Sequence, residues 1–359
     1  MNFQRLHIDK SLFYALLVLA GLSVLAVYSA SGKELSVAIS HSMRLLLGFA
    51  VMLGVAQVRP EIFERWSPYL FIVGLMLLVA VLVVGTIGKG AQRWLHFGIV
   101  TFQPSEIMKL ALPMMLAWYL ARADLPPTLF RLIVGFIIAA VPSAFIAKQP
   151  DLGTAALVFA AGAFTLFLAG MRWKIIILVF SAIAAAMPVV WNFMHGYQRH
   201  RILTLLNPEA DPLGSGYHTI QSMIAVGSGG FYGKGWLNSS QAHLEYLPEA
   251  ATDFIFAVFA EEFGLIGSLI LLALYLFIAL RAMLIAFYAQ DAYSRLLAGG
   301  LALIFFFSFF VNIGMVVGIL PIVGVPLPVM SYGGTSIVTV MSAFGILMSI
   351  QTHRRIVEQ

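Results

Sequence analysis

Cysteine is absent from all 359 residues, and charge is scarce, with Asp, Glu, Lys and Arg making up 10%. The first absence excludes disulfides, thiolate metal sites and cysteine nucleophiles. The second excludes an ordinary soluble domain, where about a quarter of residues are charged. Nucleotide and zinc signatures are missing too. In "GSGGFYGKGW", Ser228 stands where a P-loop needs its first glycine, and Lys234 is followed by Gly235 rather than Ser or Thr. No HExxH occurs, and the eight histidines lack zinc-ligand spacing. No second soluble domain, low-complexity tract or convincing repeat stands out.

What is there is apolar. The chain is 61% hydrophobic with a mean hydropathy of +0.94, which implies an all-α polytopic membrane protein. About 20 apolar residues span a bilayer core. Ten such runs occur, near 11–30, 43–58, 67–87, 105–121, 131–147, 152–170, 174–194, 265–287, 294–318 and 333–352. The first follows only Arg5 and Lys10 and is long for a cleaved signal, so it reads as a retained helix. An even count puts both termini on one side. With the N-terminus inside, inner segments hold Arg5, Lys10, Arg59, Arg65, Arg122, Arg131, Arg172, Lys174, Arg281, Arg295, Arg354 and Arg355. Short outer loops hold only Lys33, Arg44, Lys89, Arg93 and Lys148. This bias predicts cytoplasmic termini and explains the net charge of +5 without nucleic acid. Residues 1–359 thus form one integral membrane domain, with 195–252 a large outer loop between spans seven and eight. Within that loop "YHTIQSMIAV" predicts a short interfacial helix.

Ionisable groups at membrane depth are costly and mark candidate sites. Pro104 suits the first position of span four, with Glu106 in its first turn and Lys109 on the same face. That pair is either a structural ion pair or the polar wall of an outward cavity. Pro113 predicts a kink in the same span. Arg93 and Trp94 just before it read as an interfacial anchor or as a phosphate and sugar contact. Asp151 follows Pro150 and is placed to cap span six. Arg199 and Arg201, flanked by His195 and His200, suit lipid headgroups or a diphosphate, since a planar guanidinium bonds two oxygens at once.

In "LPEAATDFIFAVFAEEFG" a helix started by Pro248 would set Glu249, Asp253, Ala257, Ala260 and Gly264 on one small-residue face. Continuous helix from Asp253 to Phe287 would run roughly 52 Å, too long for one span. A break near Glu261, Glu262, Gly264 and Gly267 follows, with the two glutamates at a capped or solvated helix end. "GILPIVGVPLPVMSYGGTS" carries no charge and too many Pro and Gly for a helix, which suits a loop plugging a cavity.

Together "GAQRWLHFG…FQPSEIMK", "QPDLGTA", "NPEADPLGSGYHTIQS", "LPEAATDFIFAVFAEEFG" and "GVPLPVMSYGGTS" resemble the shape, elongation, division and sporulation (SEDS) proteins, in order from about residue 88 to the C-terminus. The wording "TDFIFAVFAEE" and the short N-terminus look more like the elongation branch than the division branch. Ala251 departs from the histidine expected there in many elongation-branch chains. The resemblance implies a peptidoglycan glycosyltransferase of the bacterial cytoplasmic membrane, working on lipid II at the outer face beside a class B penicillin-binding protein and the elongation machinery. It places the essential aspartate at Asp253, and cavity residues at Gln103, Glu106, Lys109, Arg93 and Trp94. Asp151, Arg199, Arg201, Gln221 and Ser331 complete the candidate cavity. Asp253 would serve as base or as holder of a divalent cation, Mg or Mn, with no organic cofactor. A lipid II flippase and a non-catalytic scaffold are the alternative classes. Gly299, Gly300 and the "FFFSFF" run at 305–310 offer either a docking face or ordinary helix packing.

Overall fold

The computed structural model describes residues 7–88, 91–97, 100–193, 196, 199, 203–205, 207, 215–243, 247 and 249–353. Arg201, His195, His200 and Pro248 lie outside the described residues. In chain order the elements are α1 (Lys10–Ala30), α2 (Leu35–Ala56), α3 (Pro60–Val84), β1 (Thr86–Gly88), β2 (Ala91–Phe97), β3 (Val100–Phe102), α4 (Pro104–Ala121), α5 (Leu129–Lys148), α6 (Leu152–Leu168) and α7 (Trp173–Phe193). Then follow α8 (Ser215–Ser228), α9 (Ser240–His243), α10 (Ile255–Phe287), α11 (Ala292–Val316) and α12 (Thr335–Thr352).

All ten apolar runs are helical. Among the described residues, α1, α2, α3, α5, α10, α11 and α12 are long and apolar enough to cross a membrane, and the apolar α6 is shorter. Helix α4 is less apolar because its first turns carry Glu106 and Lys109. It continues through Pro113. Polar N-caps set several starts: Asp9 accepts from Leu12 N at 2.9 Å, and Asp291 from Ser294 N at 2.7 Å. The short helix expected around "YHTIQSMIAV" is α8.

The all-α expectation needs one correction. Strands β1, β2 and β3 form an antiparallel sheet in that order, with Trp94 opposite Thr86 and Leu95 opposite Phe102. Two residues including a glycine separate each strand pair in sequence, Lys89-Gly90 and Gly98-Ile99, the spacing of a tight hairpin. The apolar-run reading passed over it because these strands are too short to register as spans.

Helix α11 is the hub, packed against α10, α6 and α4. Gly299 and Gly300 are buried in it and face Leu168 and Thr165 near α6. Their job is close helix approach, whereas Phe310 stays half exposed. Arg281 of α10 grips Asp9 at 2.6 and 3.3 Å, which ties α10 to the start of α1. At the same end His7 stacks on His353 with centroids 3.9 Å apart, so residues 7 and 353 meet. Partial burial, then the neighbouring His353, lowers the His7 pKa from 6.5. A depressed imidazole favours the native state above its unfolded pKa, and that contribution is lost as pH falls. NMR titration should therefore show His7 protonating below pH 6.5, and His353→Ala should move its pKa upward.

The expected break in α10 is at Gly264, whose φ of 67° and ψ of −164° are not helical. A broken helix orphans backbone groups, which is tolerated at depth only when protein satisfies them. Here the segment after α8 does so. Lys234 N and Gly235 N donate to the carbonyls of Glu261 and Glu262, both at 3.0 Å. Leu265 N and Ile266 N donate to Gly230 and Phe231 oxygens at 2.9 and 3.2 Å. The loop thus caps both half-helices at once. Glu261 and Glu262 are fully buried there, not at a solvated end. A second correction concerns Asp253. Glu249 has φ 58° in a turn and α10 starts only at Ile255, so Asp253 precedes the helix instead of lying on its small-residue face.

Candidate active site

The uncharged segment between α11 and α12 builds the floor of the site. Asn312 of α11 donates to the Asp253 carbonyl at 2.9 Å and to the Val325 carbonyl at 2.7 Å. Ser331 Oγ donates to Thr252 O at 2.6 Å and accepts from Leu327 N at 2.7 Å. Tyr332 N donates to Ala251 O at 2.9 Å. The carbonyls of residues 251–253 are therefore all hydrogen-bonded along an irregular backbone. A Cβ on Gly324, which has φ 69°, would lie 3.5 Å from Asp253 Oδ2. The half-buried Asp253 carboxylate thus lies over Gly324. On the other side, the Gly153 Cα at the start of α6 abuts the Val323 carbonyl so closely that no side chain would fit.

Two residues before Gly153 sits Asp151. It caps α6 by accepting from Thr154 N at 3.2 Å, accepts from Gln103 Nε2 at 3.3 Å, and faces Arg93 Nε at 3.6 Å. Arg93 Nη2 also donates to Pro150 O at 2.8 Å. Strand β2 thus delivers Arg93, and the N-cap of α4 delivers Gln103, to one buried carboxylate. Trp94 follows on β2, half buried, with its carbonyl accepting from Thr86 Oγ1 at 3.3 Å. One turn into α4, Lys109 Nζ donates to Glu106 Oε1 at 2.7 Å. Glu106 Oε2 and Ser105 Oγ are buried with no partner among the described residues, which leaves acceptor and hydroxyl capacity for a polar ligand. Lys109 and Ser336 also line a narrow crevice floored by Leu301, Ile304 and Phe344.

The Glu106–Lys109 pair is testable on stability. Lys109→Met strands a buried carboxylate and is expected to cost about 3–5 kcal/mol. A thermal melt should show the fall, with the Glu106→Gln/Lys109→Met double variant recovering part of it because no charge is left unpaired.

The structure joins Arg93, Gln103 and Asp151 in one cluster, and links Ser331 to the Asp253 turn. Arg199 is elsewhere: it donates to the Trp191 and Asn192 carbonyls, both at 2.7 Å, and so closes the end of α7. Gln221 lies half-buried on α8, which Ser222 pins to the Val316 carbonyl at 3.0 Å. Asn312 escaped the sequence reading. A lone amide within "FFFSFFVNIGMVV" was the available signal, since side-chain amides in apolar helices find hydrogen bonds across to neighbours. Among the described residues no group of three or more His, Cys, Asp or Glu is gathered to hold a metal. The single carboxylate of Asp253 fits a divalent ion only in the way Mg sits in phosphate sites, on one or two carboxylates plus substrate oxygens.

The profile of the FtsW/RodA/SpoVE family, described as cell cycle proteins, matches residues 4–356. The chain belongs to this family. Among curated relatives, the peptidoglycan glycosyltransferase MrdB of Escherichia coli is 50% identical over 99% of this chain and 96% of its own. The peptidoglycan glycosyltransferase RodA of Treponema pallidum is 31% identical, covering 96% and 98%. A chain from a peptidoglycan synthase complex that coordinates polymerization and crosslinking superposes with a TM-score of 0.85 at 28% identity, over 97% and 98% of the two chains. The rod shape determining protein RodA of Thermus thermophilus gives 0.74 at 25% identity, over 97% of both. With seven apolar helices of spanning length among the described residues, this FtsW/RodA/SpoVE member is an integral membrane protein.

Proposed function

We propose that this chain polymerises lipid II into glycan strands during cell elongation, at the outer face of the cytoplasmic membrane. The observation that carries the reading is the 50% identity, across essentially the whole chain, to a relative named peptidoglycan glycosyltransferase. The chain is a peptidoglycan glycosyltransferase; lipid II as substrate, the mechanism and the sidedness are the proposal. Both termini are then cytoplasmic, in line with the loop charge bias, and ten helices cross.

In the proposed reaction a sugar 4-hydroxyl attacks an anomeric carbon as undecaprenyl diphosphate leaves. One carboxylate suffices for an inverting displacement. Asp253 takes the hydroxyl proton or orients the hydroxyl, since it sits half-buried at the end of a held backbone turn. Arg93, Gln103 and Lys109 face the diphosphate, and the unpartnered Glu106 Oε2 and Ser105 Oγ add polar contacts. Mg or Mn, when bound on Asp253 and substrate oxygens, would supply neutralisation of diphosphate charge. A class B penicillin-binding protein is the proposed partner, in keeping with the polymerization and crosslinking complex that the chain resembles. The relatives' names favour this reading over the flippase. The test is polymerisation of purified lipid II by the chain with and without its partner, with Mg and Mn titrated. Glycan strands resolved on gels are expected, and lipid movement without polymer would overturn the proposal.

A further inference from the structure

Two fully buried carboxylates, Glu261 and Glu262, have no part in the chemistry above. Glu261 accepts from Lys234 Nζ at 2.7 Å, Ser239 Oγ at 2.6 Å, Ser240 Oγ at 2.7 Å, Ser240 N at 3.0 Å and Gln241 N at 3.3 Å. Glu262 accepts from Leu237 N at 3.0 Å and from Ser29 Oγ of α1. Glu261 thus gathers side chains and backbone from 234–241, and Glu262 ties that segment to α1.

We infer that Glu261 and Glu262 are positioning residues for Asp253, acting through the first half of α10 as a strut pinned at both ends. Every residue from Ile255 to Glu262 is buried. Glu261 lies eight positions after Asp253, roughly 12 Å of chain at helical rise. At the near end, Asn312, Ser331 and Tyr332 hold the backbone of residues 251–253. At the far end Gly264 breaks the helix, so the second half, Leu265 onward, cannot by itself fix the direction of the first half. The backbone bonds from Lys234 N and Gly235 N hold the end of the first half, and the glutamate side chains add to them by anchoring the strut sideways to the 234–241 segment and to α1. A carboxylate pinned at one end only would swing over Gly324, and a misplacement of about 1 Å can cost on the order of 100-fold in rate.

The inference rests on reading Asp253 as the reacting carboxylate, and one experiment separates the two. Full-length chain with its partner is assayed for lipid II polymerisation as wild type, Glu261→Gln, Lys234→Met, Lys234→Arg and Asp253→Ala. Hydrogen exchange is followed in parallel at amides 252–258 and 271–285. Expected for Glu261→Gln and Lys234→Met is a kcat lower by about 10–100-fold at unchanged KM, with faster exchange at 252–258 and none of it at 271–285. Lys234→Arg, which keeps the cation, should retain most activity. Wild-type kcat and unchanged exchange at 252–258 overturn the inference, as does acceleration across both windows, which would mean general loosening. Polymer from Asp253→Ala would instead sink the catalytic reading. Should Glu261→Gln fail to fold, Ser239→Ala removes one donor without a charge and should move the same two readouts several-fold.

Discussion

Asp253→Ala is expected to cut lipid II polymerisation by about 10²–10⁴-fold, the usual worth of a general base, while leaving the thermal midpoint where it was. The unchanged midpoint follows from how the backbone at this residue is held. Asn312 bonds the Asp253 backbone carbonyl, and Ser331 bonds that of Thr252. Neither contact depends on the carboxylate, so truncation leaves the turn in place. Asp253→Asn tests the charge alone: it keeps the shape, loses the basic oxygen, and should be nearly as inactive. Strand formation by Asp253→Ala at close to the wild-type rate would remove the residue from the reaction.

A stability effect comparable to that of Lys109→Met is expected at Gly264. Its φ of 67° with ψ of −164° lies in a region essentially reserved for glycine, costing other residues about 1–3 kcal/mol. Added to that is contact: a Cβ there would run into Gly233 N and come within 2.7 Å of the Phe231 carbonyl. Neither neighbour is the flexible end of a side chain. Gly264→Ala must therefore open the paired backbone around the break, and a loss of about 3 kcal/mol or more is expected. Gly21→Ala in α1 is the control, because a Cβ there meets nothing within 4 Å. Helix propensity makes that change neutral to slightly favourable. Melting both variants in the same detergent reads the difference, and equal midpoints would refute the account of the break.

Much of this was legible from residues alone. Hydropathy located all ten long helices, because a bilayer demands long apolar runs. The break in α10 followed from length, since a 35-residue helix overshoots the bilayer. The Glu106–Lys109 pair and the Asp151 cap followed from helix spacing, which is local. What escaped was non-local. Nothing in "TDF" tells that Asp253 sits before its helix, since that is decided by hydrogen bonds to Asn312, Ser331 and Tyr332, all more than 50 residues away. The burial of Glu261 and Glu262 was equally hidden. Their partners lie on the segment from Lys234 to Gln241 and on α1, whose approach to α10 the sequence does not reveal. Arg199 illustrates the converse, a charged residue beside a site-like stretch that serves its own helix end.

The paired backbone at Gly264 also bears on how this chain can change over generations. Surface loops usually absorb insertions and deletions at small cost. The stretch from Gly230 to Gly235 is tied to four successive points of α10, two on each side of the break. Adding or removing one residue there would shift the register against both half-helices together, and no compensating slip in α10 is free to follow. Length variation among natural relatives is therefore expected to collect between α7 and α8, ahead of this segment, and to spare the six residues from Gly230 to Gly235 themselves.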